Sequence, residues 1–176
     1  MFRKSCLFVA CLLISLITFS QTQTDTSRNL TAKQERKYLD SLAKNLAPIE
    51  GKAIVYIVRT GSMGMAIPFR LDCDSLLVGW IAYKTYLYTV LDTGEHLFKA
   101  QSENEFNLKV TLEGGKIYFL EQQSRMGIMY ARTKLKILSE DEGRKSLSKC
   151  TLSKHNRYPQ VILSRDYGQS SPDKGE

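Results

Sequence analysis

The sequence predicts a mainly β protein: an antiparallel β-sandwich, preceded by an amphipathic helix and followed by a short one. Three observations carry this. Phe106, Leu108, Val110 and Leu112 alternate strictly with Glu105, Asn107, Lys109 and Thr111. That is the period-2 pattern of a strand with one wet face. The run from Tyr86 to Leu91 is rich in aromatic and β-branched residues, which suit a pleated, half-buried surface. Asp92-Thr93-Gly94 and Glu113-Gly114-Gly115 punctuate these runs with residues that favour tight turns.

Taken in order, the chain opens with a basic head, Met1 to Lys4, and an apolar stretch from Cys6 to Phe19 broken only by Ser15 and Thr18. Thr18 and Ser20 place small residues where a signal peptidase reads them, so residues 1–20 read as a secretory signal peptide. The apolar run is shorter than the ~20 residues a spanning helix needs. Cys11 offers a second reading, a lipoprotein anchored through that thiol. Either way the expected location is periplasmic or extracellular, with membrane association only through this N-terminal segment. Residues 21–30 are polar and read as a flexible leader. Residues 31–47 read as the amphipathic helix. Thr31 and Gln34 fit a capping box, Tyr38, Leu39, Leu42, Ala43 and Leu46 recur at helical spacing, and Pro48 and Gly51 close the segment.

Residues 52–152 read as the domain. A chain of 176 residues with 43% hydrophobic content suits one ordinary core. Ala53 to Val58 is a continuous apolar run, as a buried strand requires. Phe69, Leu71 and Cys73 alternate with Arg70 and Asp72 behind Pro68, which confines that strand to an edge or makes Pro68 its boundary. Leu76 to Ile81 is its return strand, with Trp80 as a core or half-buried anchor. Ile117 to Leu120 starts another strand, Gln122 to Arg132 reads as a loop or irregular strand, and Lys134 to Leu138 is the last. Ser139 and Glu142 form a second capping box, opening a helix whose inner face is Gly143, Leu147 and Cys150. Residues 153–176 read as a disordered tail.

Candidate functional residues are few. With the N-terminal segment removed, Cys73 and Cys150 remain. They either pair as a disulfide, stabilising by roughly 4 kcal/mol in the chain-entropy model, or sit as separate buried thiols. His96 lies beside Glu95 and near Asp92, but acid–base catalysis needs a nucleophile or metal beside it. His155 is the other histidine, so no histidine-cluster metal site can be written, and no cofactor motif is present. Cys73 between Asp72 and Asp74 is a poor nucleophile, since flanking carboxylates raise a thiol's pKa. Two loops combine glycine with methionine and each has an arginine nearby: Arg59, Met63 and Met65 in one, Arg125, Met126 and Met129 in the other. They are the expected partner surface, because thioethers adapt to apolar contacts and arginine pairs with anions at a rim. Tyr83, Tyr86 and Tyr88 with Lys84 resemble a stacking face, but Tyr86 and Tyr88 share one sheet face, which means packing. Export argues against nucleic acid. The formal charge of +7 gives soft attraction to anionic surfaces without naming a partner.

Phe69 to Gly79 resembles the strand, acidic turn and strand module of PEGA-type surface domains. Asp92-Thr93-Gly94-Glu95-His96 is similar to their Pro-Gly-Glu-His turn, and Gly114 to Phe119 to their Gly-Lys-Thr-Tyr strand. With Met126-Gly127 and the acidic helix start Ser139 to Gly143, the chain resembles a bacterial family of exported proteins and lipoproteins of unknown function. Asp74-Ser75 replaces the usual Asp-Gly, and Thr93 a proline. The resemblance implies an Ig-like sandwich and offers no catalytic residues. The resulting expectation is a non-enzymatic module with a binding or accessory role in the cell envelope, its partner an envelope protein or polymer. The alternative is a small envelope hydrolase using His96.

Overall fold

The computed structural model describes residues 31–128 and 131–157. Residues 1–30, expected as signal peptide and leader, therefore lie outside the described residues, as does the expected tail beyond residue 157. In chain order the elements are α1 (Ala32–Lys44), β1 (Lys52–Arg59), β2 (Phe69–Cys73), β3 (Leu76–Ile81), β4 (Thr85–Asp92), β5 (Gly94–Gln101), β6 (Glu105–Leu112), β7 (Ile117–Met126), β8 (Ala131–Leu138), α2 (Glu140–Leu147) and β9 (Thr151–Leu152). The protein is mainly β, with two sheets. One has the order β8-β7-β1-β4-β9 and the other β3-β2-β5-β6.

The central strand β1 sets the layout. Every residue from Ala53 to Arg59 is buried. Ala53, Val55 and Ile57 face the four-stranded sheet and join a core with Phe69, Leu71, Phe98 and Val110. Ile54, Tyr56 and Val58 face the other way and join a second core with Tyr86, Tyr88, Phe119, Ala43 and Leu147. The two helices supply that second cover. Tyr56 stacks on Phe119 at 5.4 Å between ring centroids and meets Tyr86 edge-on at 6.0 Å. Its hydroxyl donates to the carbonyl of Ala43 in α1. Tyr86 and Tyr88 are thus packing residues.

The sandwich is not wholly antiparallel, which corrects the sequence reading. β1 runs parallel to β7, with Ile54 opposite Ile117 and Val58 opposite Glu121, and β4 runs parallel to β9. A strand buried on both faces at the centre of a sheet is where parallel pairing is found. β2 is also interior to its sheet, so Pro68 marks the strand's start. β7 runs unbroken through Gln122 to Met126, paired with β8, where a loop or irregular strand was expected. Phe69, Leu71, Phe98, Val110 and Phe119 are buried, whereas Val90, Leu108 and Ile117 are half-buried. Trp80, expected as a core or half-buried anchor, is 40% exposed.

Both ends of the domain carry close approaches. α2 begins with the expected capping box, Ser139 and Glu142 bonding each other's backbone, and packs through Gly143. A Cβ there would sit 2.1 Å from the Phe119 ring. Ser153–Arg157, expected as tail, instead packs along the sheet edges. Ser153 N–H donates to Tyr86, Arg157 N–H to Val78, and the Ser153 hydroxyl to Trp80, all at carbonyls. Val78 is the extra residue of a bulge in β3, so its carbonyl is free to accept. The backbone of His155 crosses so near Gly79 that a Cβ would meet its carbonyl at 2.4 Å.

Gly143→Ala should lower unfolding stability by about 1–3 kcal/mol, because Phe119 must move to admit one methyl group. Chemical denaturation measures this, and an unchanged midpoint would mean that α2 does not rest on Phe119.

Candidate functional site

β1 and β7 run in the same direction, so the loop after β1 and the turn after β7 emerge at one end of the domain. Their adjacency is direct: a Cβ on Gly64 would lie 2.9 Å from that of Ala131, the register partner of Met126. Met63 and Met65 flank Gly64 and are 46% and 58% exposed. Met126 is 82% and Ile128 86% exposed. The two glycine–methionine loops therefore meet, and Ile128 joins the apolar surface they form. Met129 lies outside the described residues. Arg125 is exposed, opposite Arg132 across the β7–β8 hairpin.

Arg59 is a correction. It is fully buried and is no part of the surface. Its Nη1 donates to the carbonyls of Ile67 at 2.7 Å and Ile81 at 3.4 Å, and its Nη2 to those of Met63 at 3.0 Å and Gly64 at 2.7 Å. The guanidinium carbon stands 4.4 Å from the centre of the Phe69 ring. Burial pulls the guanidinium pKa from 12.5 down to about 10, so the group stays cationic at neutral pH. Carbonyl dipoles and an aromatic face hold this charge, and in doing so they fix the shape of the methionine loop.

The neighbouring β5–β6 turn braces the same end. The Asn104 side chain donates to the Thr133 carbonyl at 3.0 Å and accepts from the Thr133 N–H at 2.7 Å. It thus acts as one residue of strand against the exposed edge of β8. Ser102 Oγ donates to the Ala131 carbonyl. Glu103 accepts from the Ile128 N–H at 3.2 Å. These contacts hold the apolar tip from below.

A second cluster lies at the β2–β3 turn. Asp74 and Ser75 both take positive φ, 48° and 68°, as a two-residue hairpin turn demands. The Asp74 carboxylate offsets that strain by accepting from the Leu97 N–H at 2.9 Å while its other oxygen lies 2.5 Å from His96 Nδ1. His96 Nε2 donates to the Asp92 carbonyl at 3.0 Å. The Cys73 thiol donates to Asp74 at 3.7 Å, and burial, with Asp74 adding to it, pushes its pKa up to about 12. Sequence spacing hid this meeting, because the turn and the strand start are 22 residues apart. Sulfur, carboxylate oxygen and imidazole nitrogen lie within 4.8 Å of one another, and they are donor types that zinc accepts. A metal would have to part the 2.5 Å contact and deprotonate a thiol that burial keeps neutral. Both ring nitrogens of His96 are engaged, so neither is free to take a proton from the thiol.

Cys73 and Cys150 are both free and buried, the second of the two alternatives the sequence left open. Cys73 belongs to the core between the sheets and Cys150 to the core under the helices. The five-stranded sheet separates them, and Cys150 donates instead to the Arg59 carbonyl at 3.7 Å.

Two outcomes follow from these geometries. Arg59→Met should cost about 2–4 kcal/mol of stability by leaving the loop carbonyls unpaired in the interior. Arg59→Lys should not restore it, since one ammonium cannot span the fork of acceptors; a loss below about 0.5 kcal/mol by urea unfolding would mean the loop is held otherwise. For Asp74, burial acts to raise the carboxyl pKa, but the Leu97 N–H, the His96 ring and the Cys73 thiol outweigh it and hold the group below its ordinary 3.8. A depressed folded-state value gives stability that is present above about pH 4 and is lost as pH falls through that value. Asp74→Asn should therefore be less acid-sensitive than the parent in pH-dependent melts, and equal sensitivity would sink the assignment.

No family model matches the chain. A DUF3823 family protein from Parabacteroides merdae, known as a crystal structure, is similar over 52% of this chain and 61% of that chain, at 15% identity and a TM-score of 0.29. That overlap is too slight to carry an argument about fold or activity. An uncharacterized protein of Haemophilus influenzae is 30% identical over 152 residues, 86% of this chain and 83% of its own length. The chain belongs to the family of that uncharacterized bacterial protein.

Proposed function

We propose that the protein is an exported, non-enzymatic β-sandwich module of the PEGA-like kind that binds an envelope protein or polymer through its methionine-bearing end. The carrying observation is the exposed cluster of Met63, Met65, Met126 and Ile128, gathered at one end by the parallel pairing of β1 and β7. An apolar group left in water over a rigid base marks an interaction surface when its members are contiguous. Here the base is unusually well fixed, by Arg59 below one loop and Asn104 beside the other. Thioethers on such a base can adapt to an apolar partner at low cost, because the backbone beneath them does not have to be ordered on binding.

Residues 1–20 supply the export signal in this reading, and Cys11 the lipidation site if the chain stays anchored. Among the described residues no helix is long and apolar enough to cross a membrane. The histidine that a hydrolytic reading would use has both nitrogens engaged and a neutral thiol beyond its carboxylate neighbour. That geometry supports a turn tie more than a catalytic pair.

Replacing Met63, Met65, Met126 and Ile128 together by serine should leave the melting temperature within about 2 °C, since exposed side chains contribute little to folding. The same variant should lose the partner that crosslinking captures from the envelope with the parent. An unchanged crosslinking pattern, or recovery of the protein from the cytoplasm with residues 1–20 intact, would overturn the proposal.

A further inference from the structure

α1 and the Ser153–Arg157 strap enclose a continuous trough. It consists of three adjoining depressions. The first, about 440 Å³, lies between the start of α1 and β9, and it shares Arg36, Leu152 and Lys154 with the second. The second shares Lys154 and Asn156 with the third, which ends at Trp80. Lys33, Arg36, Lys37, Lys154 and Arg157 line its walls, and all five are exposed. None of them makes an ion pair among the described residues.

Asp40 is the carboxylate in the trough, and it is already committed. One oxygen pairs with Lys44 at 2.7 Å and the other accepts from the Leu152 N–H at 2.7 Å. It pins β9 to the helix and leaves the five cations uncompensated. Such crowding of like charge in a concave site raises the local potential and draws in anions. A second observation points the same way. Asn156, buried on the trough floor, spends its oxygen on the Tyr88 N–H, while its amide nitrogen has no hydrogen-bond partner. A buried donor without an acceptor costs about 1–3 kcal/mol, so an acceptor brought in by a ligand recovers something the fold gives up.

We infer that this trough binds an anionic glycan, a sugar chain bearing carboxylate or phosphate groups. The length of the trough favours a chain laid along it over a single small anion. Its concavity disfavours a flat bilayer, which cannot fill the depressions. Trp80 offers an indole face at one end, the surface on which a pyranose ring stacks, and Leu39 and Leu152 give the floor an apolar strip. The site is distinct from the methionine-bearing end and does not depend on a partner binding there.

Trp80 is the single tryptophan of the chain, so its fluorescence reports occupancy directly. Hexagalacturonate titrated into the full protein should change that emission saturably, and neutral maltohexaose should not. Raising salt to about 0.5 M should weaken the interaction at least about tenfold, since the wall charges are exposed and screened. Lys154→Gln with Arg157→Gln should weaken it to a similar degree at an unchanged melting temperature, and Trp80→Phe, followed by calorimetry, should retain most of the affinity that Trp80→Ala loses. Absence of any saturable signal overturns the inference, as does binding indifferent to the double variant. Capture by phosphatidylglycerol vesicles without any response to hexagalacturonate would replace the glycan with a membrane and overturn it equally.

Discussion

The fold depends on a strand that water cannot reach from either side. Ala53 to Arg59 is buried throughout, so both faces of β1 need cover. The four-stranded sheet covers one and the two helices the other. This single demand explains otherwise unrelated features. Tyr56 is large and polar-tipped, and it can sit in the second core because Ala43 of α1 takes its hydroxyl proton. Gly143 is small because α2 must lie flat on Phe119, the register partner of Tyr56. A buried tyrosine without that acceptor, or a helix held off by one methyl group, would leave polar or empty space against the strand on which every other element rests.

The end of β1 shows how a structural need becomes a surface. The strand finishes in Arg59, whose charge is still inside. With no carboxylate to meet it among the described residues, the chain turns four loop and strand carbonyls inward. A loop whose carbonyls point in has its methionine side chains left outside. Solvating the arginine and displaying Met63 and Met65 are thus two sides of one conformation. β7, running parallel beside β1, delivers Met126 and Ile128 to the same place.

Much of this was legible in the sequence, and what was not has identifiable causes. β6 could be read residue by residue because one of its faces is wet and alternation survives. β1 could be read as buried from its apolar run, but a run does not name its neighbours, so the parallel pairing with β7 stayed hidden. The far half of β7 looked irregular because Gln122 and Ser124 fill positions that alternation expects to be apolar. Gln122 is in fact buried and bonds to Thr133 across the hairpin. Arg59 read as a rim residue because a charge beside a glycine loop usually is one, and only three dimensions reveal its carbonyl acceptors. Cys73 and Cys150 could be read as a pair or as separate thiols, because sequence does not show which face of a sheet a residue occupies. Ser153–Arg157 read as tail because it holds on through backbone hydrogen bonds and the Asn156 amide, which leave no hydrophobic trace.

The surplus of positive charge is not spread evenly, and the reason lies in where the acids fall. Around the sheet ends four lysines have a carboxylate opposite or nearby: Lys52 with Asp92, Lys99 with Glu105, Lys109 with Glu95, Lys116 with Glu113. These pairs sit on turns and cross-strand positions, where geometry brings opposite charges together. They contribute little to stability, but they cancel the field locally. On α1 and the strap the acids are spent differently. Asp40 turns inward to anchor β9, and the helix partner it takes is Lys44, not a residue of the trough. The element that closes the sheet edges therefore also concentrates the charge. His155 crosses over Gly79, Val78 lends the carbonyl of its bulge to Arg157, and the strap held by these contacts carries Lys154 to the basic face of α1 and Arg157 to the depression beside Trp80. Sheet edges are usually protected by charge or by cover; here the cover brings the charge with it, and a solution to an edge problem leaves a concave, cationic surface.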